Sequence, residues 1–452
     1  MIDLPVAFSE RMKSLLGDEY EKYLETLSEE PVKAFRVNTD KISLENFSRI
    51  DVFSNGRIPY VGNGFYLDYD KIGNHPYHHA GMIYVQEPAA MMPAECIEIE
   101  EDWAVLDMCA APGGKSTQLK NKLGEDGVLV SNEIVPSRCK ILTGNIERLG
   151  LKNTVTTCMD TKRLADTFPN TFDLIMCDAP CSGEGMFRKE EIAVSEWSEE
   201  NVRMCAQRQA EILDNAVKLL KNGGYIIYAT CTFSLEENEM MIDSFLQKHP
   251  EFELVKPCEA VIKSTSDGIY FDGCKCENIS YTRRSYPHIN KGEGQFAAVL
   301  HNNSGVGSAT RQQPVRKSAV DKAVFEFLDS TLTDYDKTHV TLYKGNPVYF
   351  TPDFQVKDGA AFSCGVTIGE LKKNYIQPHH QFFMAMGNLF KRKIELSADD
   401  ERLKKYLHGE EIPVDCENGW AVVCVDGCAT GGVKVVNGVA KNHYPKGLRL
   451  KF

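Results

Sequence analysis

Between residues 103 and 300, short apolar runs alternate with stretches of helical spacing. That alternation implies a parallel sheet with helices on its faces, a Rossmann-like α/β fold. The strand candidates are Val105-Leu106-Asp107, Gly127-Val128-Leu129-Val130-Ser131-Asn132, Val155-Thr156-Thr157-Cys158-Met159, Phe172-Asp173-Leu174-Ile175-Met176-Cys177 and Gly224-Tyr225-Ile226-Ile227-Tyr228. Their apolar runs read as buried strands. Between them, one helix follows a glycine-rich turn as far as Gly124. A second opens on Pro136 and closes on Gly150. A third covers Val202 to Leu220, with Ala206, Ala210, Leu213, Val217 and Leu220 on one side.

Open α/β sheets bind ligands at the C-terminal ends of their strands, and three such ends carry chemistry here. The first runs through Asp107-Met108-Cys109-Ala110-Ala111-Pro112-Gly113-Gly114-Lys115. Its spacing matches neither a Walker A loop nor Gly-x-Gly-x-x-Gly. It does occupy the first strand–helix turn, where small residues let backbone approach a ligand and the helix start offers N–H groups to an anion. Dinucleotide folds place an acid about 20 residues further on, at the ribose hydroxyls, and Glu133 fills that place. Asp160, at the end of the third strand, is expected to face an adenine amino group. The loop residues Ala110, Ala111, Pro112, Gly113, Gly114 and Lys115, with the strand-end carboxylates Glu133 and Asp160, thus suit an adenosyl ligand.

The other two ends each carry a cysteine: Asp178-Ala179-Pro180-Cys181-Ser182-Gly183-Glu184-Gly185 and Thr230-Cys231-Thr232. A cytosine ring resists electrophiles at C5. A thiolate added at C6 makes C5 a nucleophilic enamine, able to accept a methyl group from a sulfonium donor. Such a thiolate needs local dipoles or cations to lower its pKa. Asp178, three residues before Cys181, is placed to polarise N3 of the ring. On the residues alone either thiol serves as nucleophile. Cys109, Cys158 and Cys177 read as core or loop lining.

Residues 1–100 read as a small α/β module. Ser9 to Leu27 has helical spacing, Phe35-Arg36-Val37-Asn38 is a strand, and Asn55 to Gly81 is punctuated as loops. The catalytic sheet is expected over 101–301, a linker over 302–318 and a mostly β region over 319–452. Gly419–Val425 and Val433–Val439 are strand-like in that region, and Asn437-Gly438 is a hairpin signal.

The net charge of −13 argues against indiscriminate nucleic-acid binding. Residues 303–452 nevertheless hold 20 Lys and Arg against 17 Asp and Glu, which leaves −16 for the remainder. The stretch from Thr430 has five basic residues, Lys434, Lys441, Lys446, Arg449 and Lys451, and no acid, a local surface for phosphates. The 15 cysteines show no Cys-x-x-Cys pair, which predicts no metal site and fits a reducing cytoplasm. No apolar run approaches the ~18 residues of a membrane span, and the N-terminus lacks a secretory pattern.

The three motifs, with Tyr84-Val85-Gln86-Glu87-Pro88-Ala89-Ala90 upstream and Arg284-Ser285-Tyr286-Pro287-His288 and Gly292–Phe296 downstream, resemble the Nol1/Nop2/Sun family of RNA cytosine-5 methyltransferases over about residues 30–300. The tail, with Gly419-Trp420 and Lys441–Arg449, resembles the RsmF type within it, in which a PUA-like module follows the catalytic domain and the substrate is bacterial small-subunit rRNA. The resemblance implies S-adenosylmethionine as cofactor, contacted by Cys109 and the Ala110–Lys115 loop, Glu133, Asp160 and Asp178, with Cys231 as nucleophile and Cys181 as the thiol that assists product release. The Pro-Cys motif alone points the other way, because in DNA cytosine methyltransferases the Pro-Cys thiol attacks.

An unstacked cytidine must be presented to the thiols. Arg188 and Lys189 are expected to grip phosphate there and Phe187 to stack a base, with Lys441, Lys446 and Arg449 adding contacts from the C-terminal region. The partner is rRNA or the small ribosomal subunit, and the chain is expected to be monomeric. Two readings compete: a tRNA cytosine-5 methyltransferase, and a non-catalytic RNA-binding assembly factor that has kept the fold. The retained cysteines, Asp178 and Lys115 weigh against the second.

Overall fold

A computed structural model describes residues 3–305, 319–357, 359–373 and 375–451. Most of the expected linker, residues 306–318, lies outside the described residues. The centre of the molecule is a ten-stranded mixed sheet whose middle strands are parallel. Its principal strands are β1 (Ala104–Asp107), β2 (Val128–Asn132), β3 (Thr154–Thr157), β4 (Phe172–Asp178), β5 (Leu220–Thr230), β6 (Phe252–Val255) and β7 (Gln295–Asn302), with β8 (Ser363–Cys364) contributed by the C-terminal region. The spatial order is β8-β3-β2-β1-β4-β5-β7, and β6 pairs the outer edge of β7. β1 to β5 are mutually parallel, while β7 runs antiparallel to β5. Chain order reverses on the two sides of β1, so the crevice beyond β1 and β4 is the topological switch point.

The helices of this unit include α1 (Gly114–Lys120), α2 (Pro136–Leu149), α3 (Thr161–Thr167), α4 (Glu199–Leu219) and α5 (Glu239–Lys248). α2 begins on Pro136 and ends where Gly150 takes a left-handed φ of 66°, as its punctuation predicts. α4 is capped by the Ser198 hydroxyl. Its buried stripe is Val202, Cys205, Gln209, Ile212, Leu213, Ala216 and Leu219, turned from the expected one, and Ala210 faces solvent. The two sets share the same alternation of four and three, but the buried Cys205, Gln209, Ile212, Ala216 and Leu219 each lie one residue earlier, a rotation of about 100° round the helix.

The helix expected over Ser9–Leu27 is two helices, Val6–Leu16 and Tyr20–Thr26, broken at Gly17, whose φ is 53°. They pack Phe8, Met12 and Tyr23 against Phe187, Trp197, Phe233 and Tyr286, under the cysteine loops. Within the expected loop region lies a hairpin, Ser54–Arg57 with Gly64–Leu67, in a four-stranded antiparallel sheet with Ala34–Val37 and Ile83–Val85. Ser54-Asn55-Gly56-Arg57 is exposed at every position and so lacks the apolar signal that marks a strand.

In the C-terminal region β8 pairs antiparallel with β3 and extends the central sheet. A five-stranded sheet follows, with Lys393–Leu396, Gly419–Val425, Cys428–Val436, Val439–Asn442 and Ile412–Pro413. Asn437 and Gly438, at φ of 50° and 75°, make the predicted hairpin turn. Helices Lys322–Thr331, His380–Met386 and Glu401–His408 accompany the strands. Leu403, Tyr406, Val423 and Val433 share a core with Phe35, Val37, Phe47 and Ile83 of the N-terminal module. The buried Lys41 ammonium pins the two together, donating to the carbonyls of Met384 (2.7 Å) and Ala429 (3.1 Å). Lys41→Met removes two charge-assisted hydrogen bonds and should destabilise the protein by about 2–3 kcal/mol. Hydrogen exchange should report the loss first around residues 384–386 and 428–430. Among the described residues no helix is long and apolar enough to cross a membrane.

Candidate active site

The glycine-rich turn leaves β1 at the switch point and is fixed by its backbone. Ala110 N–H donates to the Asn132 carbonyl at 2.8 Å, Arg138 donates to the Ala111 carbonyl at 2.8 Å, and Asn145 to that of Pro112 at 2.9 Å. Gly113 adopts φ 113° as the residue before α1, a conformation that side chains with a Cβ rarely adopt. Behind the turn, fully buried Arg36 of the N-terminal module donates to Gln86 (2.7 Å), the Gly114 carbonyl (2.8 Å) and Thr117 (2.7 Å). The small N-terminal sheet therefore braces this loop.

Three strand-end carboxylates flank it. Asp107 is wholly buried; one oxygen accepts from Ser116 at 2.6 Å and the other has no partner. Burial pushes its carboxyl up to about 7, despite the Ser116 bond. Glu133 is buried at the end of β2, accepting from the Val135 N–H at 2.9 Å with Arg138 at 3.5 Å. Asp160 caps α3 through the Arg163 N–H at 2.8 Å; its capping role uses one of its two oxygens. An adenosyl ligand fits this set: an orphaned buried acceptor, a close-approach backbone turn and a carboxylate at each of three adjacent strand ends.

Beside it stand the thiols. Cys181 follows β4, Cys231 follows β5, and their sulfurs are 3.3 Å apart. The Cys231 N–H also donates to Cys181 Sγ at 3.3 Å. Both are free thiols. The hydrogen bond with Cys231, then burial, hold the Cys181 thiol well above its ordinary value. Lys115 Nζ reaches from α1 to Asp178 Oδ2 at 2.8 Å and joins the cofactor loop to the thiol loop. Burial alone would lower the Lys115 pKa; the Asp178 carboxylate overcomes this and raises it, with Cys231 and Asp107 adding to the effect. The ammonium therefore stays charged next to the thiols.

Buried carboxylates hold the two cysteine loops in register. Glu237 accepts from the Ser182 N–H (3.0 Å) and from Gln209 (2.8 Å), and burial raises it to about 7. Glu184 accepts from the Trp197 indole (2.8 Å) and the Phe233 N–H (2.9 Å). Arg284 and Glu239 form a fully buried pair, from which Arg284 also donates to the Phe233 carbonyl at 2.9 Å. Sequence reasoning assigned none of these a role. Glu184 lay within a quoted motif, but Glu236-Glu237-Asn238-Glu239 reads as a solvated helix start, and only the tertiary contacts show Glu237 and Glu239 facing inward. Gly185 donates to the Cys231 carbonyl at 2.9 Å, and a Cβ there would lie 2.7 Å from Gly294 Cα and 2.9 Å from that carbonyl oxygen. Gly185→Ala should therefore push the two cysteine loops apart and lower kcat/KM by about tenfold or more with cofactor affinity retained.

The structure corrects two expected RNA contacts. Arg188 is 3% exposed and committed to Glu293 (2.9 Å) and to the carbonyls of Thr26 and Gly292 (both 3.1 Å), so it locks loops together and has no charge to offer a phosphate. Phe187 is buried against Phe8, ring centroids 4.7 Å apart, and cannot stack a base. Lys189 stays partly exposed, 3.8 Å from Glu293. Lys441, paired with Glu411, and Lys446 lie exposed on the C-terminal region. Arg449 is half-buried there, donating to the Tyr444 carbonyl.

Three family models match in chain order. Residues 4–88 match the N-terminal domain of 16S rRNA methyltransferase RsmF, residues 94–301 match 16S rRNA methyltransferase RsmB/F, and residues 393–450 match the methyltransferase RsmF PUA domain. Ribosomal RNA small subunit methyltransferase F of Vibrio campbellii is 29% identical over 481 residues, covering 98% of this chain and 97% of that protein. Its counterpart in Erwinia tasmaniensis is 32% identical over 315 residues, 67% of this chain and 64% of that one. Among solved structures, a methyltransferase homolog from Pyrococcus horikoshii superposes with a TM-score of 0.59 at 28% identity, covering 67% of this chain and 96% of that chain.

Proposed function

The chain belongs to the RsmB/F family of 16S rRNA methyltransferases, and from that premise we propose that it transfers methyl to C5 of a cytidine in small-subunit rRNA through a covalent Cys231–C6 adduct. The observation that carries this reading is the pair of thiols 3.3 Å apart at the ends of two parallel strands, beside the Lys115–Asp178 bridge.

S-adenosylmethionine, held by the Cys109–Lys115 turn with Glu133 and Asp160, supplies an electrophilic methyl group. Cys231 adds its sulfur to C6 of the extruded base, and the electron pair released onto C5 takes that methyl as the donor's sulfur–methyl bond breaks, its electrons leaving on the neutral thioether of S-adenosylhomocysteine. Asp178 and Lys115 hold the N3 side of the ring and stabilise the charge that develops there. Loss of the C5 proton to a solvent base, with breakage of the C6–sulfur bond, then restores the ring and returns the Cys231 thiolate. Cys181, protonated and hydrogen-bonded to that sulfur, stabilises it as it leaves. The Cys181 thiol, held protonated by its hydrogen bond with Cys231 and by burial, leaves Cys231 as the attacking thiol. The abundance of unpaired cysteine suits a reducing cytoplasm.

Labelled methyl from S-adenosylmethionine, offered separately to naked 16S rRNA, assembled small subunits and tRNA, tests the substrate. Label is expected in a ribosomal pool. Transfer to tRNA alone would move the assignment to that substrate, and none in any pool despite cofactor binding would favour a non-catalytic RNA-binding factor.

A further inference from the structure

The register of the C-terminal sheet sets Trp420 directly across from Lys434, and Lys434 directly across from Lys441. Like charges on facing positions of neighbouring strands repel. Glu411 compensates Lys441 at 2.6 Å. Lys434 has no ion-pair partner among the described residues, and its ammonium stands 5.7 Å from the centre of the Trp420 ring. His443 meets the same ring edge-on, centroids 4.6 Å apart. Trp420, Lys434 and His443 line a groove of about 490 Å³ whose other lining includes Phe327, Tyr375 and Gln377. Tyr375 is 58% exposed. Glu326 also borders the groove, with its carboxylate taken by Lys322 at 2.8 Å.

An uncompensated cation beside the half-buried Trp420 ring, with the exposed Tyr375 ring lining the same groove, matches the chemistry of an unpaired nucleotide. Such sites stack the base on aromatic rings and hold the backbone with cations. A duplex offers no free base face to these rings. A peptide partner would leave the excess positive charge of the Trp420–Lys434–Lys441 row unanswered unless it were acidic, and the groove already carries one carboxylate of its own.

We propose that this groove is a subsite for a single unstacked nucleotide of the RNA substrate, its base against Trp420 and Tyr375, its phosphate on Lys434 and its polar edge on Gln377. The proposal rests on the RNA-methylation reading but concerns a surface built from other elements than the thiol loops. It explains why a strongly acidic chain keeps a lysine row in its C-terminal sheet.

The test uses the full chain and a single-stranded RNA of about eight nucleotides. Tryptophan fluorescence and the anisotropy of a labelled oligomer are read together, with an RNA duplex of the same length alongside. The oligomer should quench the wild-type emission, and the duplex should compete poorly. Trp420→Ala should abolish the quench, leaving Trp103 and Trp197, and weaken binding about tenfold or more. Trp420→Phe should restore most of the affinity. Lys434→Glu should weaken binding and lower its salt slope by about one. Cofactor affinity and melting temperature should stay at wild-type values in Lys434→Glu, which separates binding from folding. Wild-type affinity in both Trp420→Ala and Lys434→Glu, absence of oligomer binding, or equal competition by duplex would each overturn the subsite. Methyl transfer is measured separately. Oligomer binding lost with Trp420→Ala in a protein that methylates no rRNA would overturn the proposed function and leave the subsite standing. Methylation by a protein whose oligomer binding ignores both substitutions would do the reverse.

Discussion

Cys231→Ala is expected to bring methyl transfer down to background, a loss on the order of 10⁴-fold or more, and to leave no covalent protein–RNA species. The expectation follows from division of labour at the site. Removing the sulfur removes the only group proposed to bond C6, and no hydrogen bond of the surrounding loop depends on it except the contact with Cys181. The Cys231 backbone keeps its bonds: its carbonyl still accepts from Gly185 and its N–H still faces the Cys181 sulfur. Cofactor affinity should therefore match wild type, because the Cys109–Lys115 turn is held by Asn132, Arg138 and Asn145. Gel analysis under denaturing conditions and cofactor titration read the two quantities separately. An adduct that persists in Cys231→Ala would exchange the roles of the thiols.

Cys181→Ala should behave differently: turnover falls about 10²-fold or more while a denaturation-resistant protein–RNA adduct accumulates. The Cys231 bond and burial keep the Cys181 thiol neutral near pH 7, so it is a poor nucleophile and a competent hydrogen-bond donor to the neighbouring sulfur. Without it the departing Cys231 thiolate loses a stabilising partner, and the last step slows more than the first. The adduct should map to Cys231 by mass spectrometry of the digested complex. Normal turnover in this variant would remove Cys181 from the release step.

How legible this was in the sequence differs by element. Apolar runs announce β1, β2, β4 and the second half of β5, whereas β3 is Thr-Val-Thr-Thr and shows itself by β-branched residues alone; the glycine turn and both cysteine motifs sit at strand ends, where the topology brings them together. The hairpin at Ser54–Leu67 was hidden because its first strand has no apolar residue. The phase of α4 was misjudged because Gln209, a polar residue, occupies its buried stripe, where its amide serves Glu237 and the Pro180 carbonyl. Arg188 illustrates the general limit. A basic residue beside a catalytic loop reads as a phosphate ligand, yet its partner Glu293 lies 105 residues further along the chain, and local sequence carries no trace of that pairing. The carboxylates that position the thiol loops, Glu184, Glu237 and Glu239, were likewise invisible, because burial of a charge depends on long-range partners.

The central claim is the identity of the atom methylated. The full-length protein is incubated with labelled S-adenosylmethionine and small-subunit rRNA, naked and assembled, and the product is digested to nucleosides and resolved by chromatography and mass spectrometry. The account predicts that the label co-migrates with 5-methylcytidine and vanishes with Cys231→Ala. Label in a nucleoside methylated on nitrogen or ribose, or transfer that survives Cys231→Ala, would contradict it.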